Sequence, residues 1–230
     1  MSRPQPEGLP RVALFGATGS VGSRVLARLL ARGCDARLLV RFAEHVDYDL
    51  RVRLAGDAVV EGDDRDADAV LRVLAGVEVV VSTIGTSDIG EAEAMLTDSV
   101  RTIVGTMPAA GAARIVAVLL AAVLPNARGG YLADDLDLRA DQYHAEPMRE
   151  GISEHVRTYE ALREAPVAWT VFCPMALRDG VPPGLTRTAL DALPGGSDVT
   201  GLDDLADAIV AEVLEPRFVG HRVGIVSLPL

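Results

Sequence analysis

Lysine is absent from this chain of 230 residues, so all 22 of its basic side chains are arginine. An arginine guanidinium stays protonated at any useful pH, and it can neither form a Schiff base nor act as a tunable proton donor. The sequence therefore excludes every mechanism that depends on lysine.

Cysteine and positive charge are also scarce. The two cysteines, Cys34 and Cys173, cannot form a disulfide framework, and no spacing of histidine and cysteine indicates a zinc site. We therefore expect no bound metal. The net charge of -11 disfavours nucleic acid and acidic membranes as partners, because binding them requires a concentrated basic surface.

Long hydrophobic runs are missing as well. Residues 115–124 form one of the longest apolar runs, which is too short to span a bilayer. Residues 1–10 are polar and contain proline, unlike a signal peptide, so we expect a flexible N-terminal segment and a cytoplasmic protein. The hydrophobic content of 49% suits one domain over residues 11–230 with a buried sheet.

Three glycines at three-residue spacing separate a strand pattern from a helix pattern near the N-terminus. Residues 11–15 are an apolar run, and a helical period resumes near Ser20. Gly16 lets the chain reverse sharply, Gly19 removes a side chain that would block a pyrophosphate, and Gly22 lets helix and strand pack closely. Free N–H groups and the positive end of the helix dipole then face the anion. The pattern predicts a dinucleotide site; the alternative is a loop that only turns a corner.

A second strand pattern at residues 36–41 ends in Arg41, about twenty residues after the last glycine. A dinucleotide site places its ribose-reading residue at this position. An acidic side chain would accept the ribose hydroxyls of NAD, whereas an arginine matches the charge and fork geometry of a 2′-phosphate. Arg41 therefore favours NADP over NAD. Arg37 and Arg53 are nearby competitors, and an ordinary surface arginine is the alternative interpretation.

Further apolar runs alternate with helical patterns along the rest of the chain. Strands are predicted at residues 58–64, 77–86, 114–120, 168–174 and 222–228. Helices are predicted at residues 20–32, 67–74, 91–107, 152–164 and 203–214. This alternation is typical of an α/β, Rossmann-like, doubly wound parallel sheet in a single domain, whose ligands gather at the carboxyl ends of the strands. Residues 125–150 and 180–197 lack strong periodicity, and we expect two loops there that cover a substrate.

The motifs along the chain resemble the atypical short-chain dehydrogenase/reductase group, specifically NAD(P)-binding proteins similar to flavin reductase/biliverdin reductase B and the NmrA-like regulators. The motifs that carry the resemblance are Phe15-Gly16-Ala17-Thr18-Gly19-Ser20-Val21-Gly22, Leu39-Val40-Arg41, Gly62-Asp63, residues 99–104, residues 155–164 and Cys173-Pro174. The likeness covers most of the chain from Arg11 onward and is weakest in the two long loops.

The resemblance implies a set of contacts to NADP. The residues implied at the pyrophosphate are Thr18, Gly19, Ser20, Val21 and Gly22, through their backbone. Arg41 would bind the 2′-phosphate and Asp63 the adenine. The segments Thr83 to Gly85 and Cys173 to Met175, which includes Pro174, would flank the nicotinamide. The thiol of Cys173 is either reactive there or packed as a small core group.

The chain departs from the group at its proton-delivery residues. A typical member uses serine, tyrosine and lysine, with the tyrosine four residues before the lysine, so that the ammonium lowers the pKa of the phenol. This chain has no lysine, and Leu119-Leu120 stand where relatives place serine or threonine. Flavin-reductase-like relatives pass hydride directly to a stacked planar acceptor and tolerate such losses. Their histidine after the strand-six proline is replaced here by Met175.

His155 and Tyr159 are the candidate catalytic residues. They lie four residues apart in a predicted helix, so both can face one side and donate a proton after hydride transfer. The alternative is that both side chains only pack against the sheet or face solvent. Tyr131, Tyr143 and His144 fall in the first long loop, where they could close over an acceptor.

Together these residues predict an NADPH-dependent reductase that transfers hydride to a planar or conjugated small-molecule acceptor without the Ser-Tyr-Lys machinery. Two alternatives remain open. One is a non-enzymatic, NADP-binding redox sensor of the NmrA-like type, and the other is an isomerase or cyclase that uses the same pocket without redox chemistry.

Overall fold

Eight strands form one sheet at the centre of the molecule. The structure is a computed structural model that describes residues 8–85, 95–136, 146–181 and 185–228. The strands in these ranges are β1 (Arg11–Phe15), β2 (Asp35–Val40), β3 (Val59–Glu61), β4 (Val79–Ser82), β5 (Arg114–Val118), β6 (Ala168–Pro174), β7 (Ala176–Arg178), β8 (Thr186–Leu190), β9 (Val199–Gly201) and β10 (Arg222–Ser227). The order across the main sheet is β3-β2-β1-β4-β5-β6-β10-β8, and every neighbouring pair is parallel except β10 and β8. β7 and β9 form a separate parallel pair.

Helices cover both faces of the sheet. Those in the described ranges are α1 (Ser20–Ala31), α2 (Tyr48–Arg51), α3 (Ala67–Val73), α4 (Met95–Ala110), α5 (Leu132–Leu136), α6 (Glu146–Glu164) and α7 (Leu202–Leu214). The helices α3, α4 and α6 cover one face and form a core with Phe15 and Val80. The helices α1 and α7 cover the other face and pack on Leu14 and Val81. Successive strand residues point to opposite faces, so each apolar run fills two cores. The predicted α/β doubly wound single domain is confirmed.

The strand order reverses beside β1. From β1 the chain moves outward through β2 and β3, and it then returns to β4 on the other side of β1 and continues through β5 and β6. The connections that follow β1 and β4 therefore diverge, and a crevice opens between them at the carboxyl ends of the strands. Gly16 follows β1 and Thr83 follows β4, so the glycine turn lies at this crevice.

The two predicted loops contain regular structure, and the prediction was wrong there. Within residues 180–197, the strand β8 pairs antiparallel with β10 at the edge of the sheet. Within residues 125–150, the helix α5 forms, and α6 begins at Glu146 rather than at the predicted Ile152. Most of β8 is exposed, so it lacks the apolar run that identifies a buried strand in a sequence.

Some predicted features fall outside the described residues. These are Tyr143 and His144, residues 91–94 of a predicted helix, and the first seven residues of the N-terminal segment. In the part of the chain that the structure describes, no helix is both long and apolar enough to cross a membrane. The same residues bring together no group of histidine, cysteine, aspartate and glutamate that could hold a metal ion.

Candidate functional site

The turn after β1 is packed too tightly to carry side chains at two of its three glycines. Gly16 has a φ of +79°, and a Cβ atom there would lie 2.7 Å from the carbonyl carbon of Thr83. A Cβ atom on Gly22 would overlap the carbonyl group of Gly16. The hydroxyl of Thr83 donates to the carbonyl oxygen of Phe15 at 3.0 Å and ties the end of β4 to the turn. This geometry explains why glycine stands at both positions.

The first turn of α1 presents backbone N–H groups without partners. Gly19 caps the helix without a side-chain hydrogen bond, and the first turn contains no acidic residue. Among the described residues, no acceptor takes the N–H groups of Ser20, Val21 or Gly22. Thr18, Gly19 and Ser20 are exposed at the crevice. A helix start with free donors and the positive end of the dipole attracts an anion.

Arg41 follows β2 at the carboxyl edge of the sheet, and its side chain is exposed. No hydrogen bond or ion pair engages its guanidinium within the described ranges, and the same is true of Arg53. Arg37 instead donates from Nε and Nη2 to the carbonyl oxygens of Val73 and Arg72, at 3.1 and 3.3 Å, where α3 ends. Arg37, one of the three arginines that the sequence offers for the 2′-phosphate, therefore makes a structural contact instead.

An acidic side chain shares the corner beside Arg41. The carboxylate of Glu61, the last residue of β3, accepts the backbone N–H of Ala43 at 2.7 Å. The pairing of β2 with β3 sets Glu61 opposite Val40, the residue before Arg41. A positive and a negative side chain therefore lie near the position expected for a ribose. Sequence reasoning missed Glu61 because its place depends on the register between two strands.

Two adjacent carboxylates follow β3, and their environments differ. Asp63 accepts the backbone N–H and the Nε of Arg65 at 2.9 Å each, and the Nη2 at 2.5 Å. These hydrogen bonds lower the pKa of Asp63 to about 2, so its carboxylate stays ionised. Asp64 is partly buried, and burial raises its pKa although it accepts the hydroxyl of Ser99 at 2.6 Å. An adenine bound by Asp63 would share that carboxylate with Arg65.

The two segments expected beside a nicotinamide follow β4 and end β6. Gly85, like Thr83, follows β4; it is exposed, and a Cβ atom there would meet no atom within 4 Å. Cys173 and Pro174 are the last residues of β6, and both are buried. The side chain of Cys173 is 0% exposed, and burial raises the pKa of its thiol. The thiol is therefore a packed core group and not a reactive one.

His155 lies beside the carboxyl end of β5. The backbone N–H of Leu120, two residues after β5, donates to Nδ1 of His155 at 3.4 Å. Burial lowers the pKa of the imidazole to about 4, against a smaller opposite effect from the charge on Glu154. The imidazole is therefore neutral at physiological pH. The contact sets His155 next to Leu119-Leu120, where relatives of the resembled group carry serine or threonine.

Tyr159 lies one helical turn further along α6, and only 4% of it is exposed. Because α6 runs antiparallel to β6, that turn leads away from the carboxyl ends of the strands. Its ring meets Tyr131 and Trp169 edge-on, with centroids 5.9 and 5.7 Å apart, and the guanidinium of Arg222 lies 4.8 Å from its centroid. A cavity of about 360 Å³ borders Tyr131, Tyr159 and Arg222 but no residue of the glycine turn. His155 therefore lies beside the carboxyl end of a strand, β5, whereas Tyr159 does not.

Residues 16–216 match the sequence model of a family described as NAD(P)H-binding. The match includes the glycine turn, the strand end at Arg41 and the helix that carries His155. The chain therefore belongs to the NAD(P)H-binding family. The predicted resemblance to NAD(P)-binding proteins is confirmed by this match.

The solved structures that are similar over nearly the whole chain include the following three. A protein from Burkholderia pseudomallei that is named as exported is 27% identical, with a TM-score of 0.77 over 95% of this chain and 100% of its own. A Bacteroides thetaiotaomicron protein named as an epimerase is 25% identical, with a TM-score of 0.79 over 96% and 99%. An anaerobilin reductase from Escherichia coli O157:H7 is 20% identical, with a TM-score of 0.76 over 96% and 98%. These differing names show that the shared fold does not fix the reaction.

Proposed function

We propose that this chain is an NADPH-dependent reductase that transfers hydride to a planar or conjugated small-molecule acceptor. One observation carries the proposal: unpaired backbone N–H groups at the start of α1 stand beside a turn whose glycines leave no room for side chains. A pyrophosphate fits that arrangement because it needs close backbone approach and several donors. The similarity to a protein named anaerobilin reductase supports a reductase on this fold.

The residues around the crevice would hold the dinucleotide along its length. The backbone of residues 18–22 would bind the pyrophosphate, and Asp63 would accept a hydrogen bond from the adenine. Thr83 to Gly85 and the end of β6 at Cys173 and Pro174 would border the nicotinamide. When bound, the nicotinamide supplies the hydride, and the protein residues orient it and exclude water.

Arg41 supports NADPH as the preferred cofactor. A guanidinium without a hydrogen bond or ion pair among the described residues can give two parallel hydrogen bonds to a 2′-phosphate, which NADH lacks. Glu61 works in the opposite direction, because its carboxylate already occupies the N–H of Ala43 and repels a phosphate. We therefore expect tighter binding of NADPH than of NADH, with measurable binding of both.

The residues at the carboxyl end of β5 support an apolar acceptor. Leu119 is buried and Leu120 is partly buried, so the strand ends in apolar side chains where relatives of the resembled group carry a hydroxyl. The chain also has no lysine to acidify a tyrosine. Hydride transfer between stacked rings depends mainly on their alignment, so a planar acceptor suits such a site.

The proposal is tested by mixing the purified protein with NADPH and one acceptor at a time: flavin mononucleotide, menadione or biliverdin. The absorbance of the reduced nicotinamide is followed, with a protein-free mixture as the control. We expect oxidation of NADPH that depends on both the protein and at least one acceptor. Binding of NADPH without oxidation by any acceptor would contradict a reductase.

A redox sensor is the second candidate function, and the absence of lysine together with the apolar Leu119-Leu120 after β5 favours it. A sensor would bind NADP and NADPH with clearly different affinities and would release a protein partner when the oxidation state changes. An isomerase or cyclase would instead yield a product equal in mass to its substrate without consuming NADPH. These outcomes separate the three functions in one set of measurements.

A further inference from the structure

The hydrogen bond between Leu120 and His155 determines which imidazole nitrogen carries the proton. A backbone N–H can only donate, so Nδ1 of His155 must accept and cannot hold a proton while the bond exists. The neutral ring then has its single proton on Nε2. The lowered pKa of the imidazole, caused by its burial, agrees with this assignment.

The other nitrogen of His155 has no hydrogen-bond partner in the part of the chain that the structure describes. Among the described residues, every fully buried side-chain nitrogen or oxygen has a hydrogen-bond partner. Nε2 of His155 has no partner in those ranges, and the residue is only partly buried. His155 therefore carries one N–H donor, on Nε2, that no described residue uses.

His155 lies on the side of the proposed site where the hydride acceptor would bind. Parallel strands lie about 4.8 Å apart, so the end of β5, the second strand from β1, is about 10 Å from the glycine turn. The end of β4 lies between them and carries Thr83. Ligands of a doubly wound sheet extend along these carboxyl ends, from the switch point toward β5 and β6.

We infer that His155 donates a hydrogen bond from Nε2 to a carbonyl oxygen of the acceptor, which makes the substrate class a conjugated carbonyl compound such as a quinone. This inference rests on the proposed function. The acceptor gains the hydride at a ring carbon or nitrogen, and the displaced electron pair moves through the conjugated bonds onto the carbonyl oxygen. The acceptor would be reduced by two electrons at the expense of bound NADPH, and water would supply the proton that neutralises the oxyanion.

His155 acts as a neutral hydrogen-bond donor in this reaction and not as an acid. An imidazolium would need a proton on Nδ1, which the N–H of Leu120 opposes. A neutral donor held in place stabilises the developing negative charge because it requires little reorganisation when that charge forms. The apolar neighbours Leu119 and Leu120 offer no competing hydrogen bond from their side chains. A carbonyl oxygen, which only accepts, matches this single donor.

Three variants separate the donor from a structural role. His155→Asn keeps an acceptor at the same bond distance from the backbone as Nδ1, so Leu120 stays satisfied while the distal donor is lost. His155→Gln extends a donor to about the position of Nε2. His155→Phe removes both groups and serves as the reference for any structural contribution of the polar ring.

The kinetic test uses NADPH and menadione with each variant. We expect His155→Asn to lower kcat by about 10²–10³-fold, with unchanged NADPH affinity and an unchanged melting temperature, and His155→Gln to recover part of the rate. A His155→Asn enzyme as fast as the wild type would overturn the inference while the proposed function stands. A wild-type chain that binds NADPH but reduces no acceptor overturns both.

A second measurement does not depend on activity. Nitrogen NMR of the protein labelled at histidine reports the protonation of each ring nitrogen, and His155→Asn identifies the signal. We expect the Nε2–H tautomer with Nδ1 as acceptor throughout the neutral pH range. An imidazolium or an Nδ1–H tautomer at neutral pH would overturn the inference, even if the kinetic result agreed.

Discussion

The carbonyl oxygen of Gly16 lies 2.0 Å from the position that a Cβ atom on Gly22 would take. Gly22→Ala must therefore push the start of α1 away from the end of β1, because neither backbone segment can yield locally. We expect the free energy of unfolding to fall by about 1–3 kcal/mol and NADPH binding to weaken strongly. Urea denaturation and calorimetric titration with NADPH measure the two effects.

Gly105→Ala is the matched control for that change. Gly105 also lies in a helix, α4, but a Cβ atom there would meet no atom within 4 Å. This substitution should raise the free energy of unfolding by about 0.5–1 kcal/mol, since alanine restricts the unfolded chain more than glycine. If both variants were equally stable and bound NADPH equally well, the tight packing of the turn would be refuted.

Arg41→Ser is expected to weaken NADPH binding by about 10–100-fold, because the charge-assisted hydrogen bonds to the 2′-phosphate are lost. NADH binding should hardly change, since NADH has no phosphate there. Affinities of both cofactors for the wild type and the variant check this by calorimetry. Arg53→Ser is the control, because Arg53 is also exposed and unengaged in the described part of the chain. A loss of NADPH preference in Arg53→Ser alone would assign the phosphate to Arg53.

The burial of His155 predicts a pH dependence of stability. Its pKa is about 4 in the folded chain and near 6.5 when unfolded, so the unfolded state binds the proton more tightly. The contribution of His155 to the free energy of unfolding is fully present above pH 6.5, the pKa of the unfolded chain. It is lost as the pH falls from 6.5 toward 4, and the loss amounts to up to about 3 kcal/mol. Urea denaturation of the wild type and of His155→Asn at several pH values isolates it. Parallel pH curves for the two proteins would contradict the assigned pKa shift.

Tyr159→Phe is expected to leave the NADPH-dependent rate within about 2-fold of the wild type, whereas loss of a general acid costs about 10²–10⁴-fold. The reason is its position, since Tyr159 lies one turn away from the carboxyl edge, between Tyr131 and Trp169. Steady-state rates with menadione measure the effect, and an unchanged melting temperature serves as the control. A fall of a hundred-fold or more would restore the pair of His155 and Tyr159 as proton donors.

The fold was largely predictable because its buried strands are apolar on both faces. The runs that became β1, β4, β5 and β6 could hardly form anything else between glycine turns and helical patterns. The exposed edge strand β8 has polar and apolar residues without a clear alternation, and its pairing with β10 supplies the order that the local sequence lacks. The first turns of α6 were missed because their residues are polar and acidic.

The site was predictable only where local spacing determines it. The glycines identify the turn because the conformation and the close approach are built from neighbouring residues. The engagement of Asp63 by Arg65 is also local, but the contact from Leu120 to His155 joins residues 35 positions apart and depends on how α6 packs. Glu61 beside Ala43, and the distance of Tyr159 from the carboxyl edge, are likewise tertiary properties that no spacing reveals.

Calorimetric titration of the purified chain with NADPH tests the central claim most directly, since everything else depends on a dinucleotide at the start of α1. We expect saturable binding of one NADPH per chain, weaker binding of NADH, and loss of both heats in Gly22→Ala. Absence of any binding heat with NADPH and NADP, confirmed by an unchanged melting temperature in their presence, would contradict the account.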